Sequence, residues 1–157
     1  MTPRKLLPLV IALLTLSLVS SSGQPLQTED GSAPKVTIVV PVNNIIRYNL
    51  GLTFIAGTFE GTDVREVGVS IRRTDTNEEW SATKKQGRFV SGPTGKWLKA
   101  SIDGNNWYVP VSSYKLPSFA DLLPEGKDEM RYTIYAYALD RKGRRSEEEQ
   151  MTIIVRR

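Results

Sequence analysis

The sequence predicts an all-β chain, an antiparallel sandwich of seven or eight strands. From Lys35 onward, β-branched and aromatic residues come in short runs broken by Gly, Pro, Asn and Asp. No stretch keeps a 3.6-residue apolar period over three turns, so a long amphipathic helix is not on offer. A chain of 157 residues has room for one ordinary domain and little more.

Residues 1–23 have the order of a secretory signal peptide. Arg4 and Lys5 are followed by fourteen uncharged residues, Leu6 to Val19, and then by small polar ones, Ser20 to Gly23. A membrane span needs about 20 apolar residues, and this run is shorter and holds Pro8, so no stable span is expected after cleavage near Ser22 or Gly23. Residues 24–34 (QPLQTEDGSAP) lack an apolar period and read as a flexible linker. The domain proper is expected over 35–157, in a secreted, extracellular or periplasmic protein.

Within it the strands follow in order. Lys35–Val40 is the first, stopped by Pro41. Leu52–Phe59 is the second, turned by Glu60 to Asp63. Val64–Arg73 alternates, with Val67, Val69 and Ile71 on one face and Gly68, Ser70 and Arg72 on the other. Glu79–Thr83 and Gly87–Val90 are short strands of a long excursion that runs on past Gly95. Trp97–Ile102 and Trp107–Val111 flank Asp103-Gly104-Asn105-Asn106, a hairpin signal because Gly and Asn tolerate positive φ. Phe119–Leu123, after Pro117-Ser118, reads as a helical turn, and Tyr132–Asp140 and Gln150–Val155 close the domain. This size and turn spacing fit an immunoglobulin-like sandwich.

The order of several short pieces is similar to that of bacterial Ig-like domains. Leu52-Thr53-Phe54-Ile55-Ala56-Gly57-Thr58 resembles their second strand, and Val67 to Thr74 followed by Glu79-Trp80 their third. Trp97-Leu98-Lys99-Ala100, then Trp107-Tyr108, then Gly126 and Tyr132 to Asp140 with Gly143 resemble their tail. The resemblance spans about Lys35–Val155. It departs in two turns, Glu60-Gly61-Thr62-Asp63 and Gly143-Arg144. It implies a binding or structural module at a cell surface, with Trp97 and Trp107 packed inside and Tyr132 bonding back to the preceding corner.

Composition narrows the chemistry. There are 21 Lys+Arg, 17 Asp+Glu, no His and no Cys. Zero Cys excludes disulfides, thiolate metal sites and a cysteine nucleophile, and zero His removes the commonest general base. An exported chain without Cys suggests a bacterial-type secretion context. Losing the first 23 residues leaves 19 basic against 17 acidic groups, so the formal charge falls from +4 to near +2 and gives little reason to expect nucleic acid. No phosphate loop or nucleophile elbow is present; Gly92-Pro93-Thr94-Gly95-Lys96 has the wrong spacing for one. A carboxylate hydrolase needs two acids about 5–10 Å apart across a cleft, whereas Asp121, Glu125, Asp128 and Glu129 form a loop cluster. Asp63 and Asp140 offer oxygen ligands, but no spaced D-x-D run supports a calcium site. Neither enzyme activity, cofactor nor metal is expected.

The candidate binding residues fall in three places. Tyr135 and Tyr137, with Leu139, face outward if Tyr132, Ile134, Ala136 and Ala138 face inward. That stripe is either covered by the excursion or open to a partner. Arg141, Lys142, Arg144 and Arg145 crowd one turn ahead of Glu147-Glu148-Glu149, either to capture an acidic partner or to neutralise one another at a solvated tip. Trp80, beside the excursion, is the candidate for stacking on a sugar, with packing inside the sandwich as the other reading. Trp97, Trp107, Tyr132, Val67, Val69 and Ile71 are assigned to the core; each buried indole would remove about 150–250 Å² from water, roughly 4–6 kcal/mol gross. The expected partner is an extracellular protein or, as the alternative function, a polysaccharide bound by a carbohydrate-binding module.

Overall fold

The first strand alternates as its sequence does: in Lys35–Val40 (β1), Val36 and Ile38 are buried and Lys35, Thr37 and Val39 exposed. The computed structural model describes residues 31–42, 45–46 and 51–157. The expected signal peptide and residues 24–30 of the linker lie outside them. β1 pairs antiparallel with Ala56–Glu60 (β3), which pairs with Asn106–Tyr108 (β9), and β9 with Ser101–Asp103 (β8), making a four-stranded sheet in the order β1-β3-β9-β8.

The larger sheet is built on the longest strand, Glu129–Asp140 (β10), which lies between Val64–Arg73 (β4) and Glu149–Arg156 (β11). Glu79–Ala82 (β5) and Gly87–Val90 (β6) extend it beyond β4, and Leu98–Lys99 (β7) pairs with β4 further along. The two-residue strand Ile45–Ile46 (β2) adds to β11 in parallel at the far edge. Apart from that pair the sheets are antiparallel, and they face each other as a β-sandwich.

The structure differs from the expected strands in two instructive ways. Leu52 and Ile55 are buried but lie ahead of β3, because their backbones pair with loops instead. The Leu52 amide donates to Pro117 O at 3.0 Å, and Ile55 O accepts from the Val109 amide at 2.9 Å. The expected strand Trp97–Ile102 is divided at Ala100. Before it, β7 belongs to the larger sheet; after it, β8 belongs to the smaller.

Between the sheets Val67, Val69 and Ile71 of β4 meet Tyr132, Ile134, Ala136 and Ala138 of β10, all fully buried. Trp107 fills the space towards the smaller sheet. Its Nε1 donates to Thr58 O at 3.1 Å, and its ring lies so close over Gly57 that a Cβ there would sit 2.6 Å from Cζ2. The Tyr132 hydroxyl donates to Leu122 O at the end of the short helix Phe119–Leu122 (α1). Ser118 and Asp121 cap that helix reciprocally, each side chain bonding the other residue's backbone amide.

Two tryptophans exchange their expected roles. Trp80, assigned to an exposed sugar platform, is 1% exposed; its Nε1 donates to Lys115 O at 2.9 Å and its ring meets Phe89 edge-on at 5.0 Å. Trp97, assigned to the core, is only half-buried and lies on the outer face of the larger sheet. Strand parity explains both. Glu79 pairs with outward-facing Arg72, so Trp80 next to it turns inward, and Leu98 turns inward against Val69, so Trp97 turns out. Trp80→Ala and Trp107→Ala should each cost about 3–5 kcal/mol in denaturant unfolding, while Trp97→Ala should cost about 1–2 kcal/mol.

Candidate functional site

The outer face of the larger sheet gathers aromatic rings and guanidinium groups. Register sets the arrangement: Tyr135 lies opposite Ser70, Tyr137 opposite Gly68 and Leu139 opposite Glu66, all on the face turned from the core. Gly68 is what lets Tyr137 lie down across β4, since a Cβ there would sit 2.2 Å from its ring. The ring then meets Trp97 edge-to-face, with centroids 4.9 Å apart and planes at 86°.

Two arginines complete the row. Arg72 holds its guanidinium 4.5 Å from the Tyr135 ring and 5.5 Å from that of Trp97. Arg145 holds its own 4.0 Å from Tyr137 and 5.4 Å from Trp97. Each such contact is worth about 0.5–1 kcal/mol at an exposed site, so together they fix the side chains more than they stabilise the fold. Arg145 also pairs with Glu148 at 2.8 Å. Arg72 donates Nε to Ser70 Oγ at 3.2 Å and, among the described residues, makes no ion pair.

The acids around this row are already engaged. The Tyr137 hydroxyl donates to Glu66 Oε1 at 2.7 Å, and Lys99 Nζ stands 3.5 Å from Oε2. The Tyr137 bond, with Lys99 behind it, outweighs desolvation and holds the Glu66 carboxyl below its usual range. Burial first, then Glu66, pushes the Tyr137 hydroxyl up to about 12. Glu79 lies beneath the excursion, fully buried, accepting from Ser70 Oγ at 2.7 Å and from the Thr94 amide and hydroxyl at 2.6 and 2.7 Å. Burial raises its pKa, but these bonds prevail and lower it overall. The excursion thus covers Glu79 and the rim of the face, leaving Tyr135, Tyr137 and Leu139 half-buried.

The cationic turn is divided in purpose. Asp140 is buried and accepts from the Arg144 amide at 2.8 Å and from Arg144 Nε at 2.7 Å, so Arg144 holds the turn together. Burial of Asp140 is outweighed by these bonds, and its pKa is lowered. Arg145 belongs to the aromatic row. Arg141 and Lys142 are exposed at the tip, where the Arg141 amide donates to Asp63 O at 3.0 Å. Asp103–Asn106 lies towards the same end, since Asn105 O accepts from the Phe59 amide at 2.9 Å.

Sequence reasoning missed two contributors, Arg72 and Lys99, and, away from this face, the pair Phe54–Tyr108 by the smaller sheet. Those two rings stack at 6.2 Å and 24°, and are 43% and 38% exposed. The inward turn of Trp107 was the available signal for the outward turn of Tyr108. Of the acids weighed for hydrolysis, Asp121 caps α1 and Glu129 lies between Arg131 and Arg156, at 3.1 and 2.7 Å. Among the described residues no group of three or more acids could hold a metal ion, and no helix is long and apolar enough to cross a membrane.

No protein-family model matches the chain, and no curated protein does. Among solved structures the chain is similar to ACE19, the collagen-binding subdomain of the Enterococcus faecalis surface protein ACE. The identity is 10%, 80% of this chain and 99% of that one are covered, and the TM-score is 0.26. A likeness of that size has no weight for function.

Tyr132 and Tyr137 are both raised to about 12 from an ordinary 10.0, Tyr132 chiefly by burial. Their stabilising contribution is therefore complete below pH 10 and lost as pH rises from there through 12. Phenolate absorbance should show late-ionising tyrosine, and one such group fewer in Tyr137→Phe. Charge reversal separates the turn's cations: Arg141→Glu should change unfolding free energy by less than about 0.5 kcal/mol. Arg144→Glu, which leaves buried Asp140 without its partner, should lower the melting temperature clearly.

Proposed function

We propose that the protein is an exported, non-enzymatic Ig-like module that binds an extracellular protein through the outer face of its larger sheet. The observation behind this reading is the row Tyr135, Arg72, Trp97, Arg145 and Tyr137, and above all Arg72, held on two rings without an ion pair among the described residues. A guanidinium seated on aromatic rings is oriented before a partner arrives, so little side-chain entropy remains to be lost on binding. Arg, Trp and Tyr are also the residues that dominate binding energy at protein interfaces. The partner that fits is a protein surface presenting carboxylates.

Export rests on the basic, apolar and small-polar order of residues 1–23. The polysaccharide alternative loses its platform, because Trp80 is buried and Trp97 already meets two guanidiniums and the Tyr137 edge. A non-enzymatic role accords with a chain lacking His and Cys, whose acids at the site are engaged in structural bonds.

The test uses the full chain against immobilised polyglutamate and a set of extracellular-matrix proteins, fibrillar collagen among them. Saturable binding to polyglutamate, weakened by salt, is expected, with a loss of about tenfold or more in the double variant Arg72→Gln, Arg145→Gln, measured well below the variant's melting temperature. Binding undiminished in the double variant, or none to any of these surfaces, would overturn the reading.

A further inference from the structure

Along one side of the sandwich, where β1 and the segment leading into β11 come together, runs a groove of about 590 Å³. One wall is Lys35 and Thr37 of β1; the other carries Glu147, Glu148 and Glu149, with Glu60 on the rim. Among the described residues β1 is the edge of the smaller sheet, paired on one side only, with β3. A strand paired on one side turns alternate N–H and C=O groups to the other, and those groups accept another strand wherever nothing blunts the edge. The irregularity in β1 lies between Ile38 and Val40, beyond the groove, so the groove segment keeps regular register with Glu60 to Gly57.

Charge selects what can lie there. The residues lining the groove include four carboxylates, Glu60, Glu147, Glu148 and Glu149, and one cation, Lys35. Glu148 is in an ion pair with Arg145 at 2.8 Å, whereas Glu60, Glu147 and Glu149 make none among the described residues. The acidic wall is also held in place. Ser146 is buried, its hydroxyl accepting from the Ala138 amide at 2.9 Å and donating to Glu147 O at 2.7 Å.

We propose that this groove takes an extended, basic segment of a partner protein, added as a strand to the open edge of β1. Main-chain hydrogen bonds to β1 supply the affinity, and Lys or Arg side chains at alternate positions meet Glu60, Glu147 and Glu149. The groove has the opposite charge from the arginine row and meets it at one ion pair, Arg145 with Glu148, while Arg72 does not line it, so this reading does not rest on that one.

The probe is a short end-blocked peptide alternating lysine with valine, titrated into the ¹⁵N-labelled full chain. A peptide of the same length alternating glutamate with valine is the control. The lysine peptide should shift the amides of Lys35 to Ile38 and slow the hydrogen exchange of those turned away from β3, and the glutamate peptide should do neither. The exposed double variant Glu147→Lys, Glu149→Lys should weaken the response about tenfold without altering the rest of the spectrum. Arg72→Gln alone, which lies outside the groove, should leave it intact, and this separates the proposal from the arginine row. Equal responses to both peptides, shifts without slowed exchange on β1, or shifts confined to the face around Trp97 would each overturn it.

Discussion

The spacing of the two sheets is set by one indole. Trp107 comes from an inner strand of the smaller sheet, is fully buried, and covers Gly57 on the neighbouring strand so closely that no side chain fits beneath it. With its Nε1 bonded to Thr58 O, the ring has one position, and the residues opposite must leave room for it. The fully buried row of β10 sets Ala136 and Ala138 beside Tyr132 and Ile134. A core of this kind is a fitted solid in which small residues matter as much as large ones.

The same device, an aromatic ring laid on a glycine, recurs on the outside of the larger sheet. Tyr137 over Gly68 brings its hydroxyl to Glu66 and its edge to Trp97, and the remaining side chains arrange themselves around that ring. Glu79 extends the order to the excursion. As a buried carboxylate it requires its bonds from Ser70 and Thr94, and through them it holds the loop around Thr94 against the sheet beside Arg72. The outer face is therefore built as firmly as the core, by polar bonds and ring contacts where the core uses apolar area.

Much of the fold could be read from the chain because β-branched residues alternate cleanly in it. Lys35–Val40, Val64–Arg73 and Gly87–Val90 have the bounds their sequences suggest. The second strand starts later than expected, since Leu52 and Ile55 are apolar and buried whether their backbones pair with a strand or with a loop. Side-chain hydrophobicity reports burial and is silent on the hydrogen-bond partner. The tryptophans show a second limit. An indole suits a core and a binding face alike, so type alone could not assign Trp80 and Trp97. The parity of their neighbours decides the matter, through Leu98 and through the pairing of Glu79 with Arg72. The division of labour in the cationic turn was hidden for a similar reason: nothing in a run of arginines marks Arg144 as the one that reaches a buried aspartate.

The handover at Ala100 bears on how the molecule comes apart. Within one residue the chain leaves the edge of β4 and enters the smaller sheet, with the Ala100 amide still donating to Val67 O at 2.9 Å. A layer that peeled away would pull β7 from β4 as it went, and β4 is the neighbour of the longest strand in the molecule. The sheets are therefore stitched together covalently where they are also packed. Such a sandwich has no stable half-open form to rest in, and its two layers are expected to melt as a single cooperative unit.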